Sequence, residues 1–270
     1  MKGYFDRIHQ GLPIDDVEII DVHAHLGEYY NMHIPSAGAE NMINVMDKCG
    51  INKTIISPTI GISSDFVLGN DLMLETVQKY RNRFYGACLV NGHYPERSVR
   101  ELERCFEKDK SVVLIKIHPF VTKCRLDDER MLSIYNFASK NKIPVLVHTW
   151  LDDDNFGNLD IFRKVARKYA NINWNMGHSG GPYGSYMATQ IAKELLNVYL
   201  DITLSMCPAR QIEFFVSEVG SERILFGTDN PFIDPRPQIG RVCLAEITQK
   251  DRVNIFSANA KRLIKFQEIL

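Results

Sequence analysis

Short apolar runs and longer two-faced segments alternate along almost the entire chain. The apolar runs, rich in Val and Ile, fall at 19–23, 53–57, 84–89, 112–117, 144–148, 172–177, 198–202 and 223–226, and each reads as a strand. Between them lie helical candidates near 37–49, 67–80, 95–108, 127–140, 158–169, 183–196 and 209–219. In the segment 158–169 the apolar positions Leu159, Phe162, Val165, Ala166 and Tyr169 form one stripe, with Arg163, Lys164, Arg167 and Lys168 opposite. Pro95 and Pro208 stand near helix starts, where a missing N–H is harmless. Eight β/α repeats in this length predict a (β/α)8 TIM barrel, for which about 250 residues is usual. A doubly wound open sheet is the other reading of the same alternation. No linker, low-complexity tract or repeat divides the chain, so 1–270 reads as one domain. Residues 1–18 are expected as an arm or short helix across the barrel bottom, and 240–270 as further helices against the barrel wall.

Composition narrows the field. With 45% hydrophobic residues in 270, the chain can bury a large core. The 32 basic and 33 acidic residues nearly cancel and the pI is about 6.7, so charge gives no reason to expect nucleic acid or a membrane surface as partner. No run approaches the roughly 20 apolar residues of a membrane span, and the start, Met1-Lys2-Gly3-Tyr4-Phe5-Asp6-Arg7, lacks a signal-peptide core. Six scattered cysteines without a C-x-x-C pair suggest free thiols and a cytoplasmic protein. Barrel helices of this kind also leave room for a homodimer.

The candidate chemistry sits at the ends of the strands. His23 and His25 share one face of the first strand, since side chains at i and i+2 point the same way. Strand 4 ends in the pair Lys116 and His118, strand 5 in His148, strand 6 in His178 and strand 8 in Asp229. A single histidine ending an apolar strand is usually a hydrogen-bonded core residue. Five of the chain's eight histidines at rims that a barrel brings together, with an aspartate, would each need a separate buried partner if they were only packing. Such a set is chemically suited to a divalent metal.

Ile20-Asp21-Val22-His23-Ala24-His25, Ile115-Lys116-Ile117-His118-Pro119, Val145-Leu146-Val147-His148, Gly177-His178-Ser179-Gly180-Gly181 and Ile224-Leu225-Phe226-Gly227-Thr228-Asp229-Asn230-Pro231-Phe232 occur in the order of a known family. With the tail Asn259-Ala260-Lys261-Arg262-Leu263, the chain resembles the amidohydrolase superfamily, in its amidohydrolase-related branch of lactone hydrolases and metal-dependent decarboxylases. The resemblance implies a distorted TIM barrel with a divalent metal, usually zinc and occasionally manganese. It places the metal on His23, His25, His148 and Asp229, with Asp229 and His178 as acid/base groups; His118 and Lys116, from their place at the strand 4 rim, are the candidate substrate-binding residues. A carboxylated Lys116 bridging two metals, with His148 and His178 completing the site, is the other arrangement. Asn230, where the family often has an aromatic residue, and the short loop 27–38 separate this chain from the well-known decarboxylases.

Hydrolysis of a small, carboxylate-bearing lactone, ester or amide is therefore the first functional expectation, and non-oxidative decarboxylation of a small carboxylic acid the second. A silent barrel acting as a scaffold would have lost ligands, and none is missing. The G-x-S-x-G match at 177–181 fails as a serine-hydrolase elbow because no histidine follows His178. Asp152-Asp153-Asp154 lacks the calcium-loop pattern. Tyr29, Tyr30, His33, Phe66 and Phe232 are candidate pocket walls, and Lys123, Arg125, Arg210 and Arg236 candidate rim cations.

Overall fold

A computed structural model describes residues 3–29, 31–151, 156–203 and 206–266. Eight parallel strands run in sequence order around a TIM barrel: β1 (Ile20–Leu26), β2 (Lys53–Pro58), β3 (Phe84–Leu89), β4 (Val112–Ile117), β5 (Val145–His148), β6 (Trp174–Gly177), β7 (Val198–Asp201) and β8 (Ile224–Leu225). The helices are α1 (Tyr4–His9), α2 (Ala39–Cys49), α3 (Thr59–Ser63), α4 (Phe66–Lys79), α5 (Pro95–Lys108), α6 (Pro119–Thr122), α7 (Leu132–Asn141), α8 (Leu159–Lys168), α9 (Ser185–Glu194), α10 (Gln211–Val219), α11 (Pro235–Leu244), α12 (Gln249–Val253) and α13 (Asn259–Leu263). Their starts are written in the sequence. The Asp65 carboxylate accepts the backbone N–H groups of Val67 and Leu68 at 2.9 and 3.3 Å, and Asn158 accepts that of Ile161 at 3.0 Å. The stripe predicted for α8 is its buried face, from Leu159 through Phe162, Val165 and Ala166.

The barrel interior has two levels, and β1 carries both. Ile20 and Val22 pack into a lower apolar cluster with Ile55, Tyr85, Leu114, Leu146 and Leu225. Strict alternation would then turn His23 and His25 away from the barrel axis. Instead the pairing with β2 slips: Asp21 faces Thr54, but Ala24 faces Ile56, which leaves one extra residue on β1. This bulge shifts the strand's phase so that odd positions above it take the place of even positions below it. The two histidines thereby enter the upper level.

The seam between β8 and β1 closes by irregular backbone bonds: Val22 N–H to the Phe226 carbonyl at 3.0 Å, Asp229 N–H to the His23 carbonyl at 2.8 Å, and His25 N–H to the Asn230 carbonyl at 2.8 Å. The Asp21 carboxylate clasps the same seam, accepting the Thr228 hydroxyl at 2.5 Å and backbone N–H at 3.1 Å.

The two ends of the chain exchange the places expected of them. The C-terminal segment, not the N-terminal arm, closes the bottom: Ala260, Leu263 and Ile264 join the lower cluster, and the Phe266 ring lies 4.8 Å from that of Tyr85. Asn259 anchors this plug by donating to the Ser221 and Ile224 carbonyls, both at 2.6 Å, beneath β8. The N-terminal helix α1 packs on the wall against α11, where Tyr4 Oη accepts a bond from Gln249 at 2.6 Å. Among the described residues no helix is long and apolar enough to cross a membrane.

Candidate metal centre

At the carboxyl ends of the strands, the residues predicted from sequence converge. His25 Nε2 lies 3.1 Å and His23 Nε2 3.4 Å from the same oxygen, Oδ1 of Asp229. His178 Nδ1 is 4.0 Å from the other carboxylate oxygen, and His178 Nε2 is 3.0 Å from His148 Nδ1. His23, His178 and Asp229 can each offer a ligand atom within 4.8 Å of the others. Two of these residues occupy strained backbone: His178 has φ 65° and Asp229 φ 61°, in the left-handed region that non-glycine residues avoid. Such strain collects where a side chain must be aimed against the local preference. At Asp229 the β8–β1 seam bonds hold it in place.

Each histidine is oriented by its far nitrogen. His25 Nδ1 donates to the Ser57 carbonyl at 3.1 Å, and His178 Nδ1 to the Thr203 carbonyl at 2.9 Å. His23 Nδ1 meets the Asp201 carboxylate at 2.8 Å, with neither side chain exposed. An N–H at Nδ1 leaves the lone pair on Nε2, which at His23 and His25 faces Asp229 and at His178 faces His148 Nδ1. Burial pushes the His23 and His148 imidazoles well below their ordinary pKa, reinforced at His23 by the Lys116 ammonium and at His148 by the facing His118 and His178 rings. Burial pushes the Asp229 carboxyl up, but the His178, His23 and His25 rings outweigh it and hold it well below the usual range. A carboxylate among imidazoles that can each turn a ring nitrogen to an ion is the donor set that a divalent cation requires, and the residues present fit such an ion.

Lys116 does not line the pocket above the cluster. Its side chain is wholly buried, with Nζ 2.7 Å from His23 Nε2, and burial lowers its pKa to about 8. His118 does line the pocket, with its ring stacked on His148 at 4.0 Å between centroids and 14° between planes. Its Nδ1 is shut off from solvent without a protein partner. Tyr29 and Phe232 are also in the wall, whereas Phe66 packs with Ile62 and Leu89, and His33 is exposed. Arg125, Arg210 and Arg236 pair with Asp127, Glu246 and Asp234, and Lys123 lies over the Phe120 ring at 3.8 Å. Tyr30 and Asp152-Asp153-Asp154 lie outside the described residues.

Three contributors escaped the sequence reading. Asp201 ends β7 and holds His23, Asp21 clasps Thr228, and Trp150 stands parallel to His148 two residues further on, at 6.2 Å and 6°. Asp201 and Trp150 had a signal, since each lies at or just beyond the end of a strand.

Eight parallel strands with a histidine–aspartate cluster at their carboxyl ends define the class: a barrel enzyme of the kind whose reactions take place on that face. Residues 20–266 match the profile of the Amidohydrolase family, and the chain belongs to that family. Its fold is shared with a 2,6-dihydroxybenzoate decarboxylase from Rhizobium, at 18% identity and a TM-score of 0.75 over 92% of this chain and 98% of that one. A manganese-bound 5-carboxyvanillate decarboxylase from Novosphingobium aromaticivorans superposes with a TM-score of 0.73 at 17% identity, over 92% and 96% of the two chains. A dihydroxybenzoic acid decarboxylase from Polaromonas, with bound manganese and the inhibitor 2-nitroresorcinol, gives 0.74 at 19% identity over 92% and 96%.

Proposed function

We propose that this chain is a metal-dependent, non-oxidative decarboxylase of a small, flat aromatic carboxylic acid. The observation that carries the reading is the pocket above the cluster, a cavity of about 410 Å³ with aromatic walls and with Asp229 and His178 in its lining. His25, Phe232 and Tyr29 come from the β1 and β8 side, with His25 and Phe232 stacked at 4.5 Å. His118, His148 and Trp150 come from β4 and β5, across an eight-stranded barrel from the first group. Two such walls suit a planar ring. Among the described residues no Lys or Arg is in the lining, so the substrate's carboxylate has the metal centre as its counter-charge. The activities of the three structural neighbours, all decarboxylases of ring acids, support the same choice.

His23, His25, His148 and Asp229 would hold the ion, with His178 beside it. When bound, a divalent ion supplies a Lewis acid for the substrate's anionic oxygens. The manganese of two neighbours makes Mn2+ as good an expectation as Zn2+. Loss of CO2 breaks a carbon–carbon bond and leaves its electron pair on the ring carbon, where a proton must arrive. Asp229 and the His178 ring, both in the pocket lining, are the groups placed to hold and deliver that proton.

The sequence alone favours hydrolysis, and the same cluster would also activate water. One assay separates the two. Metal-loaded protein is given a panel of hydroxybenzoates in D2O, and separately lactones and esters in 18O-labelled water. The proposal expects CO2 release with deuterium at the vacated ring position. Incorporation of 18O into a cleaved lactone or ester, without CO2 from any acid, would overturn it in favour of a hydrolase.

A further inference from the structure

We infer that Asp201 is the positioning residue of the metal centre, fixing the proton of His23 on Nδ1 and aiming its Nε2 at the ion. The inference rests on the metal reading of the cluster and adds a residue to it that is not a ligand. Asp201 cannot readily turn toward an ion itself, because both oxygens are engaged. Oδ2 takes the His23 Nδ1 proton at 2.8 Å, and Oδ1 accepts the Thr203 backbone N–H at 2.8 Å. A carboxylate can only accept when ionised, so the ring nitrogen facing it must be the donor. His23 Nε2 then keeps its lone pair as an acceptor at the cluster, with Lys116 Nζ 2.7 Å and Asp229 Oδ1 3.4 Å away.

The same strand end directs a second ring. Two residues beyond Asp201, the Thr203 carbonyl receives His178 Nδ1 at 2.9 Å, so β7 and its continuation orient His23 and His178 together. The Asp201 backbone carbonyl is used as well, taking the Ser179 hydroxyl at 2.8 Å. Gly227 is what makes room for this bracket. A Cβ there would lie 2.0 Å from Thr203 Oγ1, 2.7 Å from Asp201 Oδ1 and 2.9 Å from His23 Cβ. The glycine before Thr228 and Asp229 thus makes room for the two strands that flank β8, β7 on one side and β1 on the other. An outer carboxylate of this kind raises the basicity of a histidine ligand and removes its freedom to rotate, and its loss typically costs about 10–100-fold in metal affinity.

Two measurements on the full-length chain test the inference. In 15N-histidine-labelled wild type, long-range 15N–1H correlation should show His23 protonated on Nδ1. In a Co2+ titration followed by visible absorption, Asp201→Asn should bind about 10–100-fold more weakly than wild type and with an altered spectrum, while circular dichroism stays native. A His23 proton on Nε2, or a folded Asp201→Asn that matches wild type in affinity and spectrum, would overturn the inference. If Asp201→Asn does not fold, the wild-type tautomer decides. If wild type takes up no Co2+, it is the metal reading that fails, and the tautomer still decides the role of Asp201.

Discussion

The two ends of one barrel are built on opposite rules. At the bottom, Ile20, Val22, Tyr85 and Leu146 pack against Leu263 and Ile264 in a cluster of apolar side chains. At the top, on continuations of the same strands, buried His23, His25, Lys116, His178, Asp201 and Asp229 crowd together. Burying so many polar groups is costly unless each is paired or waiting for a ligand. Here their partners are each other, supplied by Asp21 and Asp201 and by backbone carbonyls of Ser57 and Thr203. Burial still strains them: it raises the Asp21 carboxyl to about 8 and the Asp201 carboxyl to about 6. The lower half supplies stability, and the upper half spends some of it. β1 shows the transition within one strand, at the bulge between Asp21 and Ala24.

If that division is right, changes at the two ends should separate cleanly. Asp229→Asn removes both a candidate ligand and a proton carrier, and turnover on an identified substrate should fall by about 10²–10⁴-fold. The thermal unfolding of the same variant should show no comparable loss. Leu263→Ala should do the reverse, costing about 2–5 kcal/mol in denaturant unfolding while metal stoichiometry per folded chain is unchanged. A smaller effect is expected of Trp150→Ala, which removes one aromatic wall: ring-acid binding should weaken by about 2–12-fold, as for the loss of about 0.5–1.5 kcal/mol of ring contact. Calorimetric titration with 2-nitroresorcinol, the inhibitor of the Polaromonas neighbour, would read it.

The smallest change is expected from pH. A histidine ligand with an ordinary pKa near 6.5 would lose about threefold in its neutral fraction between pH 7 and pH 6. Because burial pushes His23 and His148 well below that value, they stay neutral as pH falls through 6.5. His23 and His148 should therefore add nothing to any fall in metal affinity from pH 7 to pH 6, and a fall well beyond the roughly threefold of one ordinary histidine would contradict the burial argument. The sign for folding is linked. Below about pH 6.5 the unfolded chain binds protons at these histidines that the folded chain refuses, so their contribution to stability declines with acidification.

Most of this architecture was legible because barrel elements repeat a simple code. All eight strands fall where the apolar runs place them, and α2, α4, α5 and α8 within a residue or two of their stripes. What was not legible depends on partners distant in sequence. The apolar run is broken by the two histidines, yet β1 continues through both to Leu26, since the upper interior of this barrel is itself polar. Only the register against β2 reveals the bulge. The short helices α3 and α6 lie in loops over the site and carry no stripe long enough to detect. The tail shows an apolar pattern without saying whether it meets the wall or the open end of the barrel. At the site, the ligand types stood out because histidines are few, whereas Asp201 was one carboxylate among 33 acidic residues until the fold set it against His23.

The central claim is that the upper half is a divalent-metal centre. Equilibrium dialysis of the full-length protein against Mn2+ or Zn2+, followed by metal analysis, tests it most directly beside a His23→Ala, His25→Ala double variant. The account predicts stoichiometric metal on the wild-type chain and none retained by the folded double variant. A wild-type chain that retains no ion, or a double variant that retains as much as wild type, would contradict it.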